Sequence, residues 1–116
     1  MNKILDELHQ IIYKIDASHL NVDASGYNIF IPENKNEVIE ILQNAIDNNK
    51  KIIIRGSGTN LVGNCLPISN SYVLDMSKLN KIYELNNDSI TIDPGVVCDD
   101  LNVFLNDKNL FFPVIP

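Results

Sequence analysis

Ile52-Ile53-Ile54-Arg55-Gly56-Ser57-Gly58-Thr59-Asn60-Leu61-Val62-Gly63 is a β-branched run that breaks into a loop of small and polar residues. It holds three of the five glycines and the only arginine of the chain. The isoleucines predict a strand, apolar on both faces and therefore inside a sheet covered on both sides. A Gly/Ser/Thr/Asn loop leaving such a strand exposes backbone N–H groups that no bulky side chain shields. That is a cradle for an anion, above all a phosphate. Arg55 stands beside it, either facing the phosphate or pairing with a surface carboxylate.

Two familiar phosphate loops do not fit. A dinucleotide fingerprint needs Gly-x-Gly-x-x-Gly opening a helix, but Leu61 fills the third glycine position and no helical period follows. A P-loop needs a Gly-Lys-Ser/Thr ending, and that lysine is absent. A plain surface loop, with glycines only for turning, stays open as the alternative.

Outward from the loop, the hydrophobic period sets the elements. Apolar residues at Ile4, Leu5, Leu8, Ile11, Ile12 and Ile15 predict an amphipathic helix over 3–15. A turn-rich loop follows to Gly26, so residues 1–26 form a helix and loop ahead of a unit spanning 27–116. Tyr27 to Ile31 reads as a strand stopped by Pro32. Asn34 and Glu37 resemble a capping box for a helix carrying Val38, Ile41, Leu42, Ala45 and Ile46, with Asn48-Asn49 ending it. Strand, helix and Ile52–Ile54 make a βαβ unit with a parallel pair. Ser71–Leu74 is the next strand, and Asp75–Asn80 reads as one helical turn. Lys81–Leu85 and Ser89–Ile92 form a hairpin. Pro94-Gly95 turns the chain into a helix with Asp99 and Asp100 in its first turn. The fold class is α+β (α/β): a small mixed sheet with flanking helices.

Composition removes several functions. The 116 residues carry a net charge of −6 and a pI near 4.6, which disfavours nucleic acid and anionic membranes. No apolar run is long enough for a membrane span, and the N-terminus does not read as a signal peptide. Cys65 and Cys98 lack metal or CxxC spacing and read as reduced thiols in a cytoplasmic protein. His9 reads as solvated, and His19 has no second ligand at metal spacing. No catalytic or metal residue is assigned.

The pieces stand in a recognisable order. Pro32 to Val38, Arg55 to Leu61, Val73 to Ile82, Ile90-Thr91-Ile92-Asp93-Pro94-Gly95-Val96 and Leu110 to Pro116 together resemble the N-terminal half of the PCMH-type FAD-binding domain of the vanillyl-alcohol oxidase superfamily, glycolate oxidase and D-lactate dehydrogenase branch. The resemblance covers roughly residues 29–116. It implies FAD as cofactor, held weakly or not at all by this segment by itself. Its pyrophosphate would be held by backbone and side chains of Arg55, Gly56, Ser57, Gly58, Thr59, Asn60, Leu61 and Gly63, and Pro94, Gly95 and Val96 would wall the site. Gly58→Val is then expected to block the cradle and leave the fold intact.

The resemblance also implies a longer protein. Relatives continue with a Gly-Gly segment, further strands and a substrate domain with the catalytic residues. The chain alone is not expected to be active. Its partner is the missing C-terminal half, in the same chain or a second one, and the apolar 110–116 edge is open to self-association. The activity implied is FAD-dependent oxidation of a 2-hydroxy acid such as glycolate or D-lactate. Two rivals remain: a flavoprotein like UDP-N-acetylenolpyruvoylglucosamine reductase, and a non-catalytic α/β partner-binding module.

Overall fold

The computed structural model describes residues 12–15, 18, 20, 24–59 and 63–114. A 3-10 turn at Ile12–Lys14 precedes β1 (Asn28–Phe30), α1 (Lys35–Asp47), β2 (Lys51–Arg55), β3 (Ser71–Asp75), β4 (Ile82–Leu85), β5 (Ile90–Ile92) and α2 (Cys98–Asn106). Most of the helix expected over 3–15 lies outside the described residues, as do His9 and His19. At its end the buried side chain is Tyr13 rather than Ile15, which is exposed.

Local chemistry sets the ends of α1. The Asn34 side chain accepts from the Glu37 N–H at 2.9 Å, and the Glu37 carboxylate accepts from the Glu33 N–H at 2.7 Å. This is a capping box displaced by one residue on its return arm. At the other end Asn49 takes a left-handed φ of 52°. The Asn49 and Lys50 amides return to the Ile46 and Ala45 carbonyls, a Schellman closure with asparagine in glycine's place.

β1, β3 and β2 form a parallel sheet in that order. The strand–helix–strand unit is therefore split: β1 and β2 are parallel but not neighbours, and β3 fills the gap. This corrects the expectation for Ile52–Ile54. β2 is an edge strand, and Ile54 is 51% exposed. The strand covered on both faces is β3, where Val73 and Leu74 are both fully buried.

The pleat sorts the core into two layers. On one face Val73 and Ile29 pack with Tyr13, Ala24 and Tyr27. On the other, Tyr72, Leu74 and Met76 pack with Ile41 and Ala45 of α1. The sheet thus lies between α1 and the segment carrying Tyr13. β4 and β5 make the expected antiparallel hairpin as a separate two-stranded sheet. Asp93 closes its base: its carboxylate accepts from the Lys81 N–H and the Tyr83 hydroxyl. The second of these bonds raises the Tyr83 pKa above its ordinary value.

Between β3 and the hairpin the expected helical turn is a β-turn. The Leu79 N–H reaches the Met76 carbonyl at 2.9 Å, and the Asp75 side chain accepts from the Ser77 N–H at 2.9 Å. An aspartate that bonds the amide two residues on competes with helix and favours the turn. α2 begins after Val97, and Asn109 (φ 56°) ends it as expected. No helix among the described residues is long and apolar enough to cross a membrane.

Candidate functional site

Ligands of open parallel sheets bind beyond the carboxyl ends of the strands. β2 ends at Arg55, so the glycine loop begins at such an end. A relay of main-chain hydrogen bonds starts there. The Arg55 carbonyl accepts from the Met76 N–H at 2.9 Å, the Met76 carbonyl from the Leu79 N–H at 2.9 Å, and the Leu79 carbonyl from the Gly95 N–H at 2.8 Å. Two turns are pressed back to back, and the second is held beside the glycine loop. A Cβ on Gly95 would lie 1.9 Å from the Met76 oxygen and 2.6 Å from the Leu79 oxygen. Only glycine permits this approach.

The relay produces a cleft of about 350 Å³ lined by Gly56, Ser57, Thr59, Pro94, Gly95, Val96, Val97, Cys98 and Asp99. Six residues expected at the cofactor are brought together: Gly56, Ser57 and Thr59 from the loop, Pro94, Gly95 and Val96 from the turn. Asn60 and Leu61 lie outside the described residues. Val97, Cys98 and Asp99 are additions that sequence reasoning missed. Their signal was the helix start after Pro94-Gly95, which places the first turn of α2 against whatever that turn walls.

The glycines divide by role. At Gly56 an added Cβ would meet nothing within 4 Å, so the space above it is open to a ligand. Gly58 has φ 72°, and its Cβ position lies 2.6 Å from a guanidinium nitrogen of Arg55. Gly63 has φ 78°, and its Cβ position lies 2.9 Å from a Leu20 methyl. Gly58 and Gly63 therefore serve the shape of the loop and do not line the cleft.

Arg55 is placed as neither expected role described. It is 8% exposed and lies under the loop. Its guanidinium donates to the Ile15 carbonyl at 2.8 Å and the Tyr13 carbonyl at 3.4 Å, and sits 5.4 Å from the centre of the Tyr13 ring. The Tyr13 hydroxyl donates to the Asp75 carboxylate at 2.7 Å. Burial first, then that hydrogen bond and the Asp75 charge, push the Tyr13 phenol far above its ordinary pKa, while Arg55 pulls it the other way. A raised folded-state pKa means this contribution is fully present below about pH 10, the ordinary tyrosine value, and is lost only on going more alkaline.

What the cleft can hold follows from its donors. Gly56 offers backbone unobstructed by a side chain, and Ser57 and Thr59 offer hydroxyls. Val97, at the N-cap of α2, makes no side-chain cap, so the positive end of the helix dipole is open on the cleft side. These are anion-holding features. Asp99 opposes them with a carboxylate in the same cleft. Among the described residues no cluster of His, Cys, Asp and Glu could hold a metal.

A family model described as "FAD binding domain" matches residues 28–116. The chain belongs to this FAD-binding family. The cradle beside Gly56 fits such a cofactor: a diphosphate needs backbone donors and room, and both are present there.

Relatives agree. Glycolate oxidase subunit GlcD of Bacillus subtilis (strain 168) is 30% identical over 109 residues, 92% of this chain and 23% of that protein. The mitochondrial cytochrome-type D-lactate dehydrogenase of Kluyveromyces lactis is 34% identical over 106 residues, 87% of this chain and 18% of that one. Among solved structures, an alkyldihydroxyacetonephosphate synthase superposes with a TM-score of 0.61 at 29% identity, covering 69% of this chain and 16% of its own. The FAD-binding chain thus spans less than a quarter of the length of these relatives. A synthase among them shows that the fold alone does not fix the reaction.

Proposed function

We propose that the chain is the pyrophosphate-holding part of a flavoprotein that oxidises a 2-hydroxy acid of the glycolate or D-lactate type. The observation that carries this reading is the single cleft uniting Gly56, Ser57 and Thr59 with Pro94, Gly95 and Val96. The glycolate oxidase and D-lactate dehydrogenase relatives support the substrate class. In the reading proposed, backbone at Gly56 and the Ser57 and Thr59 hydroxyls hold the pyrophosphate, and the first turn of α2 adds its dipole. Pro94–Val96 form the opposite wall and exclude water from one side. The chemistry FAD supplies when bound is two-electron oxidation, taking a hydride from the substrate carbon as the hydroxyl proton passes to a base and the 2-oxo acid forms. The base and the cation for the substrate carboxylate come from polypeptide beyond this segment, in the same chain or a partner. Exposed Phe111, Phe112 and Val114 offer an apolar surface for that polypeptide or for self-association. A cytoplasmic location is part of the proposal and rests on the sequence alone, where Cys65 and Cys98 lack CxxC or Cys/His spacing.

Gly56→Val tests the cradle. No neighbour obstructs the new side chain and the position needs no left-handed φ. The expected result is an unchanged melting temperature without ligand and a roughly tenfold weaker FAD affinity, about 1.4 kcal/mol. Flavin fluorescence titration with thermal shift reads both. An intact protein that takes up no FAD would overturn the proposal, and so would a Gly56→Val variant of it that binds as the wild type does. Bleaching of the bound flavin by glycolate or D-lactate in the intact protein tests the substrate class.

Asp99→Asn is expected to act in the opposite direction. It removes a negative charge from the cleft, and FAD should bind about two- to fivefold more tightly at low salt. The same titration, repeated at high salt where the gain should shrink, checks it.

A further inference from the structure

We infer that Tyr13 and Arg55 are positioning residues of the cofactor loop, and that the segment carrying Tyr13 is the floor on which that loop is built. The inference rests on the FAD reading of the cleft and deepens it.

Contacts on both sides of the loop carry it. Arg55 closes β2, and its side chain turns under the loop until a guanidinium nitrogen reaches the space a Gly58 Cβ would occupy, 2.6 Å away. The same guanidinium donates to the Ile15 and Tyr13 carbonyls, so it joins loop and floor at once. The Tyr13 ring lies beside the guanidinium and its hydroxyl is fixed by Asp75, the β3 residue paired with Arg55 in the sheet. Asp75 in turn accepts from the Ser77 N–H, inside the turn that leads to Gly95. Farther along, Gly63 presses against Leu20 with a Cβ position 2.9 Å from its methyl.

A buried guanidinium that satisfies two carbonyls is costly to move, because its donors would lose partners where little water reaches. The loop therefore stands at a height set by Arg55, and Arg55 stands where Tyr13 and Asp75 hold it. A cofactor that needs backbone donors already in place binds well only if that height is kept.

The test is an FAD titration, by flavin fluorescence, of the intact protein and four variants of it, with melting temperatures measured alongside. Tyr13→Phe removes only the hydroxyl bonded to Asp75 and leaves the Arg55 charge untouched. It should weaken FAD binding about three- to tenfold. Arg55→Met keeps the bulk and loses the donors, and should weaken binding more than tenfold. Arg55→Lys, with one ammonium for the two carbonyls, should recover part of that loss. Ala45→Gly, in the α1 layer across the sheet, should lower the melting temperature and leave FAD affinity unchanged.

Wild-type binding with equal affinity in Tyr13→Phe and Arg55→Met would overturn the inference and leave the cofactor reading standing. A parallel loss of affinity in Ala45→Gly would overturn it too, since general destabilisation would then be the cause. If Arg55→Met does not fold, Tyr13→Phe decides. An intact wild-type protein that binds no FAD sinks the cofactor reading, and this inference with it.

Discussion

Gly95→Ala is expected to destabilise the domain by about 3 kcal/mol, and to lower its melting temperature by roughly 10–20 °C. The added methyl carbon would stand 1.9 Å from the Met76 carbonyl oxygen and 2.6 Å from that of Leu79. Both obstacles are main chain and cannot rotate away as a flexible side chain would. One of the two turns must move, and the Gly95 N–H then loses the Leu79 carbonyl, a bond worth about 1 kcal/mol by itself. The effect reaches the cleft, because the same contact holds Pro94–Val96 against the glycine loop. Urea unfolding followed by far-UV circular dichroism reads the loss. A midpoint within error of the wild type would show that the two turns are not tied as described.

Gly58→Val is expected to cost about 2–4 kcal/mol and to abolish measurable FAD uptake with it. From the sequence this substitution was expected to block the cradle and spare the fold. The structure reverses the second half. Gly58 has a φ of 72°, a region that β-branched residues adopt only with strain. Its Cβ would also displace a guanidinium that satisfies two main-chain carbonyls. The contrast with Gly56→Val, two residues earlier, is the informative part. One variant should lose ligand with its fold intact, the other should lose both. Equal melting temperatures for the two variants would count against the division of roles among the glycines.

Local signals read well in this chain because local chemistry sets them. Asn34 and Asn49 mark the ends of α1 through bonds that each makes within a few residues. The hairpin around Asn86 and the stop at Asn109 follow the same logic. Strand order was not legible. Ile52-Ile53-Ile54 has the composition of a central strand, whereas Ser71-Tyr72-Val73-Leu74 carries two hydroxyls. The structure buries the second because those hydroxyls find partners: Ser71 bonds with Ile68, and Tyr72 donates to the Asn44 side chain. Partners so placed cannot be seen in a pattern of apolar residues.

The site was half legible. Glycines, a serine and a threonine after a strand announce an anion cradle, and the ordered pieces named its cofactor. Which glycine clears space and which one bends the chain depends on neighbours brought from elsewhere, such as Arg55 at Gly58 and Leu20 at Gly63. Arg55 stood open between a phosphate ligand and a surface ion pair, and is neither, because charge is legible and burial is not. Val97–Asp99 entered the site through the relay of main-chain bonds, whose only traces in the sequence are Gly95 and the helix start that follows it.

That relay has a consequence for how such a chain can diverge. Its members are main-chain amides and carbonyls, so the bonds name no side chain: Met76 and Leu79 answer to the core they pack in and not to the cleft's width. The spacing of the two walls is passed on by chain geometry, and one codon, that of Gly95, guards it. Lineages with little else in common could thus keep the same cleft between the same two walls.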